Sequence, residues 1–215
     1  MTSAANEAWD AAARRAVTGL GIEPGELILV RDRAGRRDAF EAMLLAVEER
    51  GATPLPELVT TAYLRGLMTR TPVEHLETWD RHRLGWLNQI DRMLVLEGMP
   101  LDLGDVPEKA LAAWERAAGR LNAADEARRL PFMLVAVPTP ERSASVGLPL
   151  DELDAMLLPT LAVGTATLRT EIERTLGLIG GARTLTIRSG DDCELHLVLG
   201  NRVWLDDAGA IRDPS

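Results

Sequence analysis

Short, uninterrupted apolar runs alternate with longer segments of helical periodicity through most of this chain. The runs at residues 27–30, 93–96 and 132–137 contain no charged side chain. Side chains of a strand point alternately to its two faces, so such runs suit strands that are covered on both faces. Between the runs, segments such as residues 36–50 repeat apolar residues every three or four positions, as a helix packed on a sheet does. This alternation predicts an α/β fold with a mostly parallel open sheet, helices on both faces and right-handed crossovers.

The last 35 residues change character and predict a small C-terminal β-hairpin segment. Residues 184–188 and 193–198 alternate apolar and polar residues with a period of two. Gly200-Asn201 is a tight hairpin signal, after which residues 202–205 would return as a strand. The expected organisation has four parts: an N-terminal helix at 1–18, an α/β domain at 19–180, a closing β segment at 181–211 packed on the same domain, and a tail at 212–215. The proline-containing run at 54–59 predicts a further strand at a sheet edge.

Charge and cysteine content exclude several function classes. The 215-residue chain has a formal net charge of −9, and Lys109 is its only lysine. A general nucleic-acid binder carries a basic stripe, so no nucleic-acid partner is expected. The single cysteine, Cys193, rules out a disulfide framework and fits a reducing compartment. No apolar run approaches the roughly 18 residues of a membrane span, so we expect a cytoplasmic protein with no membrane partner.

The ends of the predicted strands carry the strongest candidate ligand site. In open α/β sheets, ligands bind beyond the carboxyl ends of the strands, and helix N-termini favour anions. The segment after the first run matches neither the Gly-x-Gly-x-x-Gly pattern nor a P-loop. A solvated loop with local arginine–aspartate pairs is the alternative interpretation of that segment. The residues at these ends predict a site for a small anionic ligand: Arg31, Asp32, Arg36, Arg37, Thr60, Glu97 and Thr139.

A second, weaker pattern is a candidate metal site. Asp192, Glu194 and His196 would share one face of a strand, where three such ligands could hold a divalent ion. The solvent-facing side of an ordinary hairpin would have the same pattern, so no metal is predicted. Cys193 would lie on the opposite, apolar face and is predicted to be a buried thiol.

The other histidines give no sign of chemistry. His75 and His82 are seven residues apart and would share one helix face. They lack the His-Glu-x-x-His pattern of zinc peptidases, and are interpreted as structural. We therefore predict no catalytic residue and no cofactor.

Four segments, in order along the chain, carry a family resemblance. They are residues 20–31, with Gly25-Glu26 ahead of an apolar run; residues 51–54, Gly-Ala-Thr-Pro; residues 137–153, with Pro138-Thr139 and Gly147; and residues 185–204, with Gly190 and Gly200-Asn201. Together they resemble the amino-terminal domain of the thermophilic metallo-aminopeptidases of the aminopeptidase T and aminopeptidase S type. The resemblance extends over about residues 19–211.

The resemblance implies an α/β domain and a peptidase-related origin. In that family the metal ligands and the catalytic acid lie in a second domain, so no catalytic residue carries over to this sequence. It implies a single-domain relative without the catalytic metal site, acting as a non-catalytic binding or assembly module. Two alternatives stay open: half of a split leucyl aminopeptidase-type metallopeptidase, and a small-molecule or anion-binding protein or enzyme that uses the strand-end pocket.

The resemblance also implies a partner. In the family the closing hairpin leads into the second domain, so its apolar residues would lie open here, as would its free edge. We expect a homodimer or a separate protein partner, with the contact made by Val198, Val203, Trp204 and Leu205.

Overall fold

The computed structural model describes residues 3–210, with side chains from residue 7 onward. The described chain forms two compact units, residues 3–162 and residues 163–210. The division falls after Ala162, so the helix that follows groups with the C-terminal hairpin instead of with the α/β domain. Among residues 3–210, no helix has both the length and the hydrophobicity to cross a membrane.

The larger unit is built on a four-stranded parallel sheet, as the alternation of apolar runs and helical segments predicts. Its strands are β1 (Leu27–Asp32), β2 (Thr53–Leu58), β3 (Arg92–Glu97) and β4 (Phe132–Ala136), in the order β2-β1-β3-β4. The proline-containing strand β2 lies at an edge, as predicted. The other edge is β4.

Helices cover both faces of this sheet. They are α1 (Ser3–Leu20), α2 (Arg37–Glu49), α3 (Thr61–Arg70), α4 (Val73–Leu76), α5 (Arg81–Leu87), α6 (Glu108–Arg128), α7 (Pro140–Val146) and α8 (Leu150–Leu161). The sequence predicts that His75 and His82 share one face of a single helix. This prediction is wrong, because His75 lies in α4 and His82 lies in the separate helix α5. The break between α4 and α5 occurs where Asp80 is buried and its carboxylate accepts two hydrogen bonds of 2.7 Å from Arg120 of α6. Both histidines are exposed.

The core explains why the strand sequences are apolar without interruption. One face of the sheet packs against α1 and α2 through residues that include Ile28, Val30 and Leu94. The next residue along each strand points to the other face, where Leu29, Met93 and Val95 pack with the α5 residue Leu87. Each fully buried aliphatic side chain stabilises the fold by roughly 1.5–3 kcal/mol, so neither face tolerates a polar run.

The smaller unit consists of α9 (Thr165–Ile179) and an antiparallel hairpin of β5 (Thr184–Ser189) and β6 (Cys193–Val198). The hairpin turn lies at residues 190–192, and the strand predicted at 202–205 is not formed. The chain after the turn at 200–201 instead brings Trp204 back, where its Nε1 donates a 3.2 Å hydrogen bond to the carbonyl of Gly180.

Two side-chain predictions in this hairpin are also wrong. Cys193 is exposed, because it begins β6 opposite Ser189, at the turn end of the hairpin. Asp192 lies in the turn itself and does not share a strand face with Glu194 and His196.

Candidate functional site

An open cleft lies at the carboxyl ends of the four parallel strands. Its volume is about 1070 Å³. Residues that follow each of the four strands contribute to its lining. The polar members of that lining are Asp32, Arg33, Arg37, Glu41, Thr60, Thr61, Arg65, Asp102, Thr139 and Glu141.

The strand order explains why the cleft forms here. The chain leaves β1 toward β2 on one side of the sheet and leaves β3 toward β4 on the other. The connections after β1 and β3 therefore diverge, and a crevice opens between them beyond the strand ends. This reversal point is where open α/β sheets bind their ligands.

Asp32, the last residue of β1, lies at the base of the cleft and is only 2% exposed. Its Oδ1 accepts hydrogen bonds from the backbone N–H groups of Ala34, at 2.9 Å, and Gly35, at 2.8 Å. No described residue donates a hydrogen bond to its Oδ2. Burial raises the pKa of Asp32, and the two backbone donors offset only part of that rise. The carboxylate thus keeps one acceptor atom for a group that enters the cleft.

Two glycines let the connections come close together beneath the cleft. A Cβ on Gly98 would lie 2.9 Å from Cγ2 of Thr139 and 3.1 Å from Cα of Ala34, closer than side chains normally approach. Gly35 has φ +72°, and a Cβ there would meet Cγ2 of Thr60 at 3.4 Å. The segments after β1, β3 and β4 are therefore in direct contact at Gly98.

Two threonines of the cleft cap helices that begin at it. Oγ1 of Thr60 accepts a 3.2 Å hydrogen bond from the N–H of Tyr63 at the start of α3. Oγ1 of Thr139 accepts a 3.2 Å bond from the N–H of Arg142 at the start of α7. A hydroxyl has one O–H donor besides its lone pairs, so both threonines can still donate to a ligand.

Three arginines border the cleft, and each has N–H donors that its present contacts do not use. Nη1 of Arg33 donates to Glu97 at 3.1 Å, and Nε of Arg37 donates to Glu41 at 2.7 Å. Arg65 donates from Nε to Asp105 and from Nη2 to the carbonyl of Asp102. A guanidinium has five N–H donors. The Arg37 side chain is 89% exposed, so its pair with Glu41 is a weak surface contact that a ligand can replace.

The predicted site residues divide into two groups. Asp32, Arg37, Thr60 and Thr139 line the cleft, whereas Arg31, Arg36 and Glu97 do not. Arg31 precedes Asp32 on β1, and its Nε donates to Glu57 on β2 at 2.7 Å. Glu97 accepts a hydrogen bond from Arg33, which lines the cleft, and so contacts the cleft only through that arginine.

Arg36 has a structural position. All five of its N–H donors are used: two on Asp38, two on Asp154 of α8 and one on the carbonyl of Pro138. Its guanidinium carbon also lies 5.7 Å from the ring centroid of Trp9. Arg36 thus ties α2, the segment after β4 and α8 together.

The predicted site residues leave out five charged residues of the lining: Arg33, Glu41, Arg65, Asp102 and Glu141. Arg65, Asp102 and Glu141 come from α3, from the segment after β3 and from the first turn of α7. Each follows a predicted strand by several residues, and searching the first helical turn after each strand is the signal that could have found Glu141. Arg65 lies well inside its helix and carries no such signal.

The C-terminal candidates do not come together as a metal centre. Within residues 3–210, no three His, Cys, Asp or Glu side chains are grouped so that they could hold a metal ion. Nε2 of His196 lies 2.5 Å from Oε1 of Glu194, whose other oxygen pairs with Arg188. The smaller unit has its own cleft of about 470 Å³, lined in part by Val203, Trp204 and Leu205.

Comparisons with known proteins identify a fold but no family. No protein-family model matches the chain, and no curated protein matches it. Among solved structures it is similar to wild-type AmpT from Thermus thermophilus, an aminopeptidase T, with a TM-score of 0.60 and 15% identity. That match covers 84% of this chain and 50% of AmpT, so the chain spans half the length of that relative. At this identity the similarity establishes the fold alone.

Two other solved structures overlap the chain more loosely. VinN matches with a TM-score of 0.33 and 16% identity, over 74% of this chain and 28% of VinN. The A-PCP didomain of carboxylic acid reductase from Segniliparus rugosus, in complex with AMP, matches with a TM-score of 0.30 and 20% identity, over 70% of this chain and 19% of that one.

Proposed function

We propose that the larger unit is a binding module that takes a small polar molecule in the strand-end cleft. The observation that carries this proposal is the unused Oδ2 of Asp32, a carboxylate that is almost fully buried at the base of the cleft. A carboxylate in a nearly buried position is stabilised by each hydrogen bond that it accepts, and of its two oxygens only Oδ1 accepts bonds from described residues. A hydroxyl or amino group of a ligand would supply a donor to Oδ2.

The border of the cleft carries charges of both signs, and its three arginines favour an anionic group on the same molecule. Arg33, Arg37 and Arg65 each have donors beyond those used in their present contacts. Guanidinium groups bind carboxylate and phosphate oxygens with two parallel hydrogen bonds. Arg37 is the most adaptable of the three because its side chain is the most exposed. The ligand class is therefore a small anion that also carries a hydroxyl or amino donor.

This role accords with the AmpT fold and assigns no catalytic residue. It describes a binding relative of the amino-terminal domain of the metallo-aminopeptidases. A second candidate is the partial aminopeptidase, in which a separate polypeptide supplies the metal domain. The observation behind this second candidate is that the chain matches half the length of AmpT. Recovery of leucine p-nitroanilide hydrolysis on mixing this chain with a metal-domain polypeptide encoded nearby would support the second candidate over the first.

A probe series tests the binding role. Inorganic phosphate provides the anion alone, glycerol the hydroxyl donor alone, and glycerol 3-phosphate and serine combine the two kinds of group. We expect saturable thermal stabilisation only by a combined probe, since a ligand at a hundredfold excess over its dissociation constant adds about 2.7 kcal/mol to the unfolding free energy.

Matched variants locate the binding. Asp32→Asn preserves the size of the side chain, and Arg37→Ala removes the exposed cation. We expect each to weaken calorimetric binding by at least about tenfold, which is 1.4 kcal/mol. Arg14→Ala is the control, because Arg14 also makes an exposed ion pair, with Glu49 on α2. No saturable binding by any probe, or binding that both cleft variants leave unchanged, would contradict the proposal.

A further inference from the structure

The two edges of the parallel sheet differ in their capacity to pair with another strand. In a strand, the N–H and C=O of one residue point to the same side, and successive residues alternate. The N–H of Thr53 donates to Glu26 and the N–H of Val59 donates to Asp32, so the odd-numbered residues of β2 face β1. The outward positions include Pro54 and Pro56, which have no N–H group. Edge β2 is thus protected against further pairing.

Edge β4 lacks this protection. The carbonyl of Pro131 accepts from Met93, and the N–H of Val137 donates to Glu97, so the odd-numbered residues face β3. Phe132, Leu134 and Ala136 therefore point their N–H and C=O groups away from the sheet. No strand within residues 3–210 pairs with that side.

The side chains of the same three residues are also open. Phe132 is 55% exposed and Leu134 is 56% exposed, while the intervening Val135 is buried on the opposite face. No charged residue occurs from 130 to 140, so none of the charges that natural edge strands use to prevent pairing is present. An uncharged apolar edge of this kind is a template for strand addition.

We propose that β4 is the interface at which a second copy of this chain binds, with the two β4 strands antiparallel across a two-fold axis at Leu134. In this register Phe132 lies opposite Ala136 of the partner, and Leu134 lies opposite its own copy. All three outward residues then form hydrogen-bonded pairs that exchange two bonds each. A shift by two residues in one direction would place Phe132 opposite Pro138, which cannot donate. A shift in the other direction would place Phe132 opposite Leu134 and move the axis away from Leu134.

The side chains fit the same register. The large Phe132 lies across from the small Ala136, and the two leucines meet at the axis, so the apolar face continues from one copy to the other. No like charges face each other in the pairing, although each chain carries a net charge of −9. The two sheets join into one of eight strands, with the proline-protected β2 at both outer edges. Because a two-fold axis relates the two copies, the same edge of each copy supplies the hydrogen-bond partners that the other needs.

A charge-exchange experiment tests the interface. Wild-type protein is followed by sedimentation equilibrium up to about 200 µM, since so short an edge gives a weak dimer. We expect Leu134→Glu and Leu134→Lys to be monomeric, because each places like charges at the axis. An equimolar mixture of the two should associate again, at least about tenfold more tightly than either variant alone. Leu134 is 56% exposed, so we expect both variants to fold.

Cross-linking tests the register independently. In a Cys193→Ser background, Leu134→Cys should form a disulfide-linked dimer, because paired residues there have Cα atoms about 5.5 Å apart. Phe132→Cys alone should not, but it should couple to Ala136→Cys when the two are mixed. Trp204→Glu, in the smaller unit, is the control and should leave the dimer intact.

Two results would overturn the proposal. A wild-type monomer at the highest concentration would show that the edge remains unpaired. A dimer that persists in Leu134→Glu but is lost in Trp204→Glu would place the interface in the C-terminal segment that includes Val198, Val203 and Leu205.

Discussion

The guanidinium of Arg36 forms a two-pronged ion pair with Asp154, at 3.1 and 3.2 Å, across 118 residues of chain. The same group holds Asp38 at the start of α2 and the carbonyl of Pro138 after β4. Arg36 precedes α2, which starts beside the cleft, and Pro138 precedes the cleft residue Thr139. The contact therefore fixes two sides of the cleft without lining it.

Removing Arg36 should destabilise the larger unit strongly. Arg36→Ala leaves two largely buried carboxylates without their cation, and breaking such a pair typically costs about 3 kcal/mol or more. Urea unfolding followed by circular dichroism measures the effect. The adjacent Arg37→Ala is the control. Its ion pair is exposed, so we expect a loss below about 0.5 kcal/mol. Equal effects of the two variants would contradict the structural role of Arg36.

The same contact predicts how stability depends on acid. Burial tends to raise the pKa of Asp38, but the hydrogen bonds and charge of Arg36 outweigh burial and lower it. Asp38 therefore binds its proton more readily in the unfolded chain, and its contribution to stability is present above the unfolded pKa, near 3.9. That contribution is lost as the pH falls through the lower folded value. In Arg36→Ala, the unfolding free energy should fall less between pH 5 and pH 2 than in the wild type; an unchanged slope would refute this.

Sequence reasoning predicted the parallel sheet, and it placed Asp32 and Thr139 at the strand ends where the cleft lies, because both depend on local patterns. Runs such as residues 93–96 are apolar throughout since helices cover both faces, and that burial is readable in the sequence. Asp32 and Thr139 were predicted at the site because each closely follows a strand. Strand ends converge at one edge of any parallel sheet, whatever the strand order.

The remaining features depend on contacts between distant residues. Arg36 was predicted as a ligand-binding residue, and nothing near it in the chain indicates its pairing with Asp154. The strand expected at residues 202–205 has suitable residues, but the hydrogen bond from Trp204 to Gly180 takes that segment elsewhere. The contrast between the two sheet edges also required the structure. Which of Pro54, Pro56 and Leu134 face outward depends on the hydrogen-bond register, and the sequence does not show it.

Asp32 should respond to pH in the opposite sense to Asp38. Its pKa is raised, chiefly by burial, so it binds a proton more tightly in the folded chain than in the unfolded one. Its favourable contribution is present below the unfolded pKa and is lost as the pH rises through the folded value. Asn at this position stays uncharged. We therefore expect the stability of Asp32→Asn relative to wild type to increase from pH 3 to pH 7, as measured by urea midpoints in parallel titrations. A difference that stays constant with pH would show that Asp32 titrates alike in both states.

The glycine at position 98 should be indispensable for the geometry of the cleft. In Gly98→Ala the new methyl group meets Cγ2 of Thr139 and the backbone of Ala34, neither of which can withdraw easily, because Thr139 is buried and also caps α7. Overpacking of this kind costs about 1–3 kcal/mol. It should also separate the segments after β1, β3 and β4, and so weaken the binding of any molecule over Asp32.

Gly66→Ala is the matched control. Gly66 lies inside α3 with nothing within 4 Å of the added Cβ, and alanine there should stabilise the helix by up to about 1 kcal/mol. In thermal unfolding, we expect the midpoint temperature to fall in Gly98→Ala and to rise in Gly66→Ala. A Gly98→Ala protein as stable as the wild type would mean that the three segments are not held in contact as described.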